Sequence, residues 1–334
     1  MNEDEVLQIL KEHPSAFVSG EKISRRLKLT RTTIWKRIRN LRALGYVIGA
    51  STRSGYRLIQ SPDLLLPSEI NPILRTRWMG NQIHYFNTLD STNSTAYQLA
   101  LGGAEEGEVV VAESQGKGRG RLGRQWVSPP FLNLYLSVIL RPNIPPHQAS
   151  LITLMAAVAT ADAIEKFSGL KPSIKWPNDI LIGKRKTAGL LNEIHSETDR
   201  IHFVVLGIGV NLNMDEKWLP KEIRTKATSL KKEVGQTVSR KAFVILLLEE
   251  LERWYEIFLK LGGFPVLKAW RDRAQIQGKK VRVTSLNEVL IGRAVDIDSE
   301  GALILKTKDG KEKRIVAGDI EYKEEKSKVR STKS

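Results

Sequence analysis

The sequence predicts a multidomain α+β protein: an N-terminal winged helix-turn-helix, a central α+β domain with a mixed sheet, and a small C-terminal β-barrel. Three observations predict it. Apolar residues recur at helical spacing from Val6 to Leu44 and are followed by a short hairpin pattern. Strand-like and helix-like segments then alternate from Leu64 onward. Finally, short strands divided by turn residues fill the stretch from Gln277 to Val316. A length of 334 residues suits two or three domains, and 41% hydrophobic residues against 27% charged ones suffice for real cores.

In the first module, Val6, Leu7 and Leu10 share one helix face. Ser19 is placed to cap a second helix holding Ile23 and Leu27, and Thr30 to cap a third. Ile34, Ile38, Leu41 and Leu44 line the inner face of that third helix, leaving Thr32, Lys36 and Arg39 outward with Trp35 at the flank. Gly45 ends it. Tyr46–Ile48 and Tyr56–Leu58 read as two strands around the turn Ser51–Gly55. Eleven Lys and Arg residues face a single acid, Glu21, between Ser19 and Gln60, out of a net charge of +16 for the chain. So basic a surface favours polyanions through counterion release. Thr32, Trp35, Lys36 and Arg39 are therefore expected to face DNA, with Arg25, Arg26 and Arg53 on phosphates.

Turn chemistry at Ile59–Asp63 sets boundaries of 1–62 for this module, 63–273 for the central domain and 274–323 for the barrel. In the centre, Glu108–Ser114, Leu132–Leu140 and Ile201–Val210 read as strands, Leu151–Phe167 and Ala242–Leu261 as helices. In the last module, strands at Lys280–Val283, Val289–Val295, Leu303–Leu305 and Arg314–Val316 are separated by turns at Asn287, Ser299–Gly301 and Asp309–Gly310. The tail, 324–334, is charged and poor in apolar residues, which predicts disorder.

Composition excludes several classes. With no cysteine there is no disulfide framework, zinc ribbon or thiol nucleophile, and five scattered His leave little for a transition metal. No apolar run is long enough for a transmembrane helix, and the acidic start Met1–Glu5 is unlike a signal peptide. A cytoplasmic protein with no membrane partner is expected.

The segment Ser114–Trp126 (SQGKGRGRLGRQW) alternates four glycines with four cations. Glycines let backbone amides approach a ligand, and the cations supply charge for phosphate or carboxylate. Gly118, Gly120 and Gly123 match G-x-G-x-x-G, but Trp126–Pro130 follows instead of a helix, which argues against a dinucleotide fold. Kinase and P-loop signatures are missing too. The loop suits a phosphate-bearing ligand outside the common nucleotide folds, ordered when filled.

GRGRLGRQW (Gly118–Trp126), KWPNDI (Lys175–Ile180), KTAGLLNE (Lys186–Glu193) and GIGVNLN (Gly207–Asn213), preceded by DSTN (Asp90–Asn93), resemble the biotin–protein ligase family in order and spacing. With the winged helix in front and an SH3-like barrel behind, the chain is similar to the bifunctional form, a biotin ligase that also represses the biotin operon. The resemblance implies a reaction of biotin with ATP to give biotinyl-5′-AMP and pyrophosphate, aided by Mg2+. The biotinyl group then passes to a lysine of the biotin carboxyl carrier protein of acetyl-CoA carboxylase. It implies that Ser91, Thr92, Asn93 and Gln115 hold biotin, and that Gly118, Arg119, Gly120 and Arg121 close over biotin and adenylate. Lys186 matches the lysine that follows charge between carboxylate and phosphate, and Arg121 acts with it. Trp126, Asn178, Asp179 and Asn211 match nucleotide-contacting positions, with Gly189 allowing close approach. Asp179 is either a magnesium ligand or a turn aspartate. Lys323 stands where the family often has an arginine reaching toward ATP. The further partners implied are operator DNA of biotin genes and a second copy of the chain in a ligand-promoted homodimer. Two alternatives stand beside this: a metabolite-sensing repressor without catalysis, and a lipoate or octanoyl transferase of similar fold.

Overall fold

The computed structural model describes residues 3–274, 276–285 and 288–323. The expected tail at 324–334 and the Asn287 turn lie outside the described residues. The chain forms two compact units, Met1–Pro72 and Ile73–Ser334.

The first unit holds α1 (Glu3–Lys11), α2 (Gly20–Leu27), α3 (Arg31–Ala43), the hairpin β1 (Val47–Ser51) and β2 (Gly55–Gln60), and a short α4 (Pro67–Ile70). Ser19 Oγ accepts from Lys22 N at 3.1 Å and Thr30 Oγ1 from Thr33 N at 3.2 Å, so both expected caps form. Each such cap is worth about 1 kcal/mol. Ile34, Ile38 and Leu41 of α3 pack with Val6, Leu7, Leu10 and Ile23 in one core. The hairpin closes at Ser51↔Gly55. Gly55 has φ +98°, and a Cβ there would meet the Val18 carbonyl at 2.2 Å, so the turn requires glycine. The chain beyond Pro62 stays with this unit, because buried Glu69 accepts from Tyr46 Oη at 2.8 Å and pairs with Lys11 at 2.6 Å.

The second unit is built on a seven-stranded sheet in the order β3-β4-β5-β9-β8-β7-β6. Its strands are β3 (Ile83–Leu89), β4 (Val109–Gln115), β5 (Leu134–Leu140), β6 (Ser173–Lys175), β7 (Asp179–Ile182), β8 (Arg185–Ser196) and β9 (Ile201–Val210). β3 and β4 run parallel and the other neighbours antiparallel, so the sheet is mixed. The helix α5 (Thr92–Leu101) packs Ala96 and Ala100 on Val110, Ile139 and Val205. The helix α6 (Ala149–Ser168) buries nearly every residue from Leu151 to Ile164 between β6–β8 and two helices, α8 (Arg240–Leu261) and α9 (Gly263–Ala274). The five-residue α7 (Leu230–Val234) precedes α8.

The C-terminal module is an antiparallel sheet ordered β13-β12-β11-β10-β14. It contains β10 (Lys280–Thr284), β11 (Val289–Ile297), β12 (Leu303–Thr307), β13 (Glu312–Ile315) and β14 (Asp319–Tyr322). Its β11–β12 turn docks on the central domain: buried Trp176 donates its indole N–H to Gly301 O at 3.0 Å, and Ser150 Oγ bonds Glu300 O. Among the described residues no helix is long and apolar enough to cross a membrane.

Candidate active site

The site begins at the N-terminus of α5. Thr92 N donates to Gln115 Oε1 at 2.9 Å, and Gln115 Nε2 donates to Ser128 Oγ at 2.9 Å. Ser137 Oγ of β5 lies 2.8 Å from Thr92 Oγ1 and 2.7 Å from Asn93 Oδ1. Asn93 Nδ2 reaches Leu191 O at 3.2 Å and Glu193 Oε2 at 2.8 Å. A Cβ on Gly207 would sit 1.9 Å from Asn93 Oδ1, so only glycine admits this amide against β9. Ser91, also buried, is the N-cap residue of α5 and makes no side-chain capping bond. The result is a small patch of oriented donors and acceptors on otherwise apolar strands, which suits a compact polar headgroup on an apolar ligand.

The glycine-arginine loop lies beside it. Gly120 N bonds Arg124 O at 2.7 Å and Trp126 N bonds Gly118 O at 2.9 Å, so the loop is folded on itself. At Gly118 a Cβ would lie 2.4 Å from the Trp126 carbonyl. Leu122 takes a left-handed φ of 54°, a conformation that costs an L residue about 1–2 kcal/mol. Arg119 Nη1 pairs with Glu193 at 2.8 Å, and Arg124 Nη2 with Asp319 of β14 at 2.6 Å. Arg121 Nη1 donates to Asn178 Oδ1 at 3.3 Å. Burial pushes the Arg121 guanidinium pKa down, against the pull of Asp319 and Asp179.

A third group faces the loop. The Trp126 ring lies over Gly189 and Gly209, where a Cβ would come within 3.0 and 2.6 Å of it. Lys186 Nζ is 5.2 Å from the centroid of that ring and 2.6 Å from Asp179 Oδ1. The Lys186 backbone is fixed on both sides, by Lys226 O at 2.8 Å and Thr228 N at 2.9 Å. Asn211 donates to Thr228 O at 3.0 Å. Trp126 Nε1, Thr187 Oγ1 and Asn211 Oδ1 are buried with no hydrogen-bond partner. Each such orphan costs about 1–3 kcal/mol, a cost that a bound ligand would offset. Among the described residues no group of three His, Asp or Glu side chains is arranged to hold a metal ion.

The structure thus brings Thr92, Asn93, Gln115, Arg119, Arg121, Trp126, Asn178, Asp179, Lys186 and Gly189 into one linked cluster, with Asn211 at the strand end beside it. Lys323 is exposed on the C-terminal module, its amide bonded to Lys280 O. Sequence reasoning missed Ser137, Glu193 and Asp319. Ser137 carried a signal: it is the lone hydroxyl in the wholly buried strand LYLSVIL, apart from the phenol of Tyr135. Glu193 and Asp319 gave none, since their partners are remote in sequence.

On the first unit, Thr32, Trp35, Lys36 and Arg39 are all exposed on one face of α3, with Arg39 stacked 5.1 Å from the Trp35 ring. Arg53 is exposed in the hairpin turn. Arg25 and Arg26 are held by acids, Arg25 by Glu21 at 3.0 Å and Arg26 by both oxygens of Glu12.

Fold and site together define a ligase of the biotin-and-lipoate class that carries its own helix-turn-helix module. Residues 85–211 match the biotin/lipoate A/B protein ligase family, residues 2–57 an HTH domain and residues 277–322 the biotin protein ligase C-terminal domain. The bifunctional ligase/repressor BirA of Bacillus subtilis is 40% identical over 95% of this chain and 97% of its own length. The corresponding protein of Escherichia coli is 31% identical over 91% of this chain and 92% of its own. Among solved structures, the biotin protein ligase of Aquifex aeolicus in complex with biotin and ATP superposes with a TM-score of 0.63 at 25% identity, covering 73% of this chain and all of that one. The chain belongs to the biotin protein ligase family, in its bifunctional ligase/repressor form.

Proposed function

We propose that this chain joins biotin to ATP, transfers the biotinyl group to the biotin carboxyl carrier protein of acetyl-CoA carboxylase, and represses biotin genes when loaded with the adenylate. The observation that carries this reading is the cluster itself. There a polar patch built from Thr92, Asn93, Gln115 and Ser137 adjoins, through Glu193, the segment that carries Arg119, Arg121 and the Lys186 contact.

In the first step a biotin carboxylate oxygen attacks the α-phosphorus of ATP, and the bond to the departing pyrophosphate breaks. No protein nucleophile is required, so catalysis rests on positioning and charge. Ser91, Thr92, Asn93 and Gln115 orient the ureido end of biotin. Gly118, Arg119, Gly120 and Arg121 fold over the carboxylate and the adenylate. Lys186 shifts from Asp179 toward the reacting oxygens, since a compact ammonium can follow charge as it moves. Trp126, Asn178 and Asn211 bind the nucleotide. In the second step the acceptor amine attacks the acyl carbon, AMP leaves, and the amine proton passes to solvent.

The residues fit a magnesium ion that enters with ATP. Mg2+ takes one or two carboxylates beside substrate phosphates, and Asp179, with Asn178 next to it, supplies that donor set. Such an ion neutralises phosphate charge when bound. Asp179 is the proposed ligand, and its pairing with Lys186 keeps the site balanced until then.

Repression follows from ordering of the loop by biotinyl-AMP, which favours a homodimer and places two winged helices on two half-sites of operator DNA. Both partners lie in the cytoplasm, where we place the protein. The test is incubation with ATP, Mg2+, biotin and a carrier domain, read by avidin blot. Wild type should label the carrier and Lys186→Ala should not; an unlabelled carrier with wild type rejects the ligase reading. Sedimentation with and without biotin plus ATP tests the dimer, and an unchanged monomer fraction rejects it.

A further inference from the structure

We infer that Arg240 is a positioning residue that holds the biotin and nucleotide halves of the site at their working separation. The inference rests on Gln115 and Asn211 belonging to those two halves.

Arg240 stands in the first turn of α8 and is 2% exposed; Glu113 of β4 is 0% exposed. Arg240 Nη1 lies 2.5 Å from Glu113 Oε2, and the same nitrogen reaches Asn133 O at 3.3 Å. A fully buried ion pair gives no automatic gain in stability, because desolvation offsets the attraction. An apolar pair of similar volume would serve a core as well. Its location therefore asks for another explanation.

Both partners of Arg240 lead to the site. Glu113 lies two residues before Gln115 on β4, and its carbonyl also accepts from Phe131 N at 3.2 Å. It thus fixes both ends of the glycine-arginine segment, the strand that enters it and the chain that leaves it. Asn133 leads the other way. Its Oδ1 accepts from Leu212 N at 3.0 Å, directly after Asn211. Asn213 in turn holds the chain ahead of α8 by two bonds to Val238, each 2.9 Å. The ring closes: the guanidinium joins the start of α8 to β4 and to Asn133 just before β5, and Asn133 passes the link on to the segment after β9. Tyr85 Oη bonds Glu113 as well, and burial, with that carboxylate, raises its pKa far above the usual phenol range, so it stays a neutral donor.

One guanidinium nitrogen serves acceptors on two segments, and the long, planar head holds it in a fixed direction that a rotatable ammonium on a shorter stem does not keep. Arg240 touches neither subsite, so it acts by distance. Loosening it should weaken binding on both sides at once while sparing the chemistry of bound ligands.

The test compares full-length Arg240→Lys, Arg240→Met and Glu113→Gln with two direct subsite probes, Gln115→Ala and Asn211→Ala. KM for biotin, KM for ATP and kcat of pyrophosphate release are measured, with active sites titrated by single-turnover adenylate formation so that unfolded material does not count. Melting temperature is recorded alongside. The expected result is a rise of about tenfold in both KM values for Arg240→Lys and Glu113→Gln, with kcat within about threefold of wild type. Gln115→Ala should raise KM for biotin alone and Asn211→Ala KM for ATP alone. If the Arg240 and Glu113 variants melt earlier but keep both KM values, the pair is only structural and the inference is overturned. Should Arg240→Met fail to fold, the lysine and glutamine variants decide. If the two probes leave both KM values unchanged, the subsite assignment falls and the inference with it.

Discussion

Arg124 of the glycine-arginine loop and Asp319 at the start of β14 lie 2.6 Å apart, so the C-terminal module grips the loop directly. Asp319 is largely shielded while Arg124 is exposed. A half-exposed pair of this kind contributes about 0.5–1 kcal/mol, enough to bias the loop but not to lock it. Asp319→Ala should therefore free the loop about twofold to fivefold, by the same energy. Limited trypsin digestion, which cuts after the loop arginines, should speed up by that factor in the absence of ligands. Equal digestion rates for variant and wild type would show that the ion pair does not govern the loop.

Ser137 gives a second prediction. Its hydroxyl meets both Thr92 and Asn93, and it is fully buried. Ser137→Ala leaves Asn93 Oδ1 without this partner, at about 1–3 kcal/mol. Biotin affinity, measured by calorimetry, should fall about tenfold or more. Unchanged affinity would remove Ser137 from the biotin patch.

The contrast between residues read from sequence and residues found in space is physical. Helix α3 was legible because a local cap, Thr30, and a local period, Ile34–Ile38–Leu41, both specify it. The glycine-arginine loop was legible because such density of glycine and cation has little structural use. Lys186 was not: in a basic turn it looks like solvated charge, and only the family motif singled it out. Glu193 and Asp319 bond arginines 74 and 195 residues away, and no local pattern encodes that. The pairing of Arg25 with Glu21 was within local reach at i, i+4, yet charge counting alone hid it.

Lys186 and Asp179 allow the ammonium and the proposed metal role in the first half-reaction to be separated. Lys186→Ala removes the ammonium proposed to meet the reacting oxygens, and loss of one such group costs about a hundredfold or more in rate. Pyrophosphate release should drop by that factor. Asp179→Asn removes the carboxylate 2.6 Å from Lys186 and the proposed metal ligand, so it should raise the Mg2+ concentration needed for half-maximal rate. A Mg2+ dependence identical to wild type would assign Asp179 to the turn alone.

The exposed row on α3 predicts the salt dependence of operator binding. Every DNA phosphate that the protein neutralises steepens the plot of log K against log salt by about 0.9. Arg53→Ala should therefore flatten that plot by about one such step and weaken binding to all duplexes alike. Lys36→Glu with Arg39→Glu should abolish duplex binding in a gel-shift assay. A normal shift by that double variant would move the DNA-binding surface off α3.

Asp298 links pH to the seam between the central domain and the C-terminal module. It caps the β11–β12 turn, accepting from Glu300 N and Ala302 N at 2.9 Å each, and it pairs with Arg314. Burial pushes its pKa up, but Arg314 and the two amides outweigh this, so the net shift is down from 3.8. A depressed carboxylate stabilises the fold above its unfolded pKa, and the contribution is lost as pH falls through the folded value. The same turn carries Gly301 and Glu300, which receive Trp176 and Ser150, so protonation should loosen that seam first. Asp298→Asn should then lower stability by about 1 kcal/mol at pH 7, since one charged hydrogen-bond acceptor becomes a neutral amide. As pH falls from 7 through the folded value of this carboxyl, the wild type takes up the proton itself, and the gap in urea midpoint between the two proteins should narrow. A gap between them that stays constant over that whole range would mean that the turn is held by shape and not by charge.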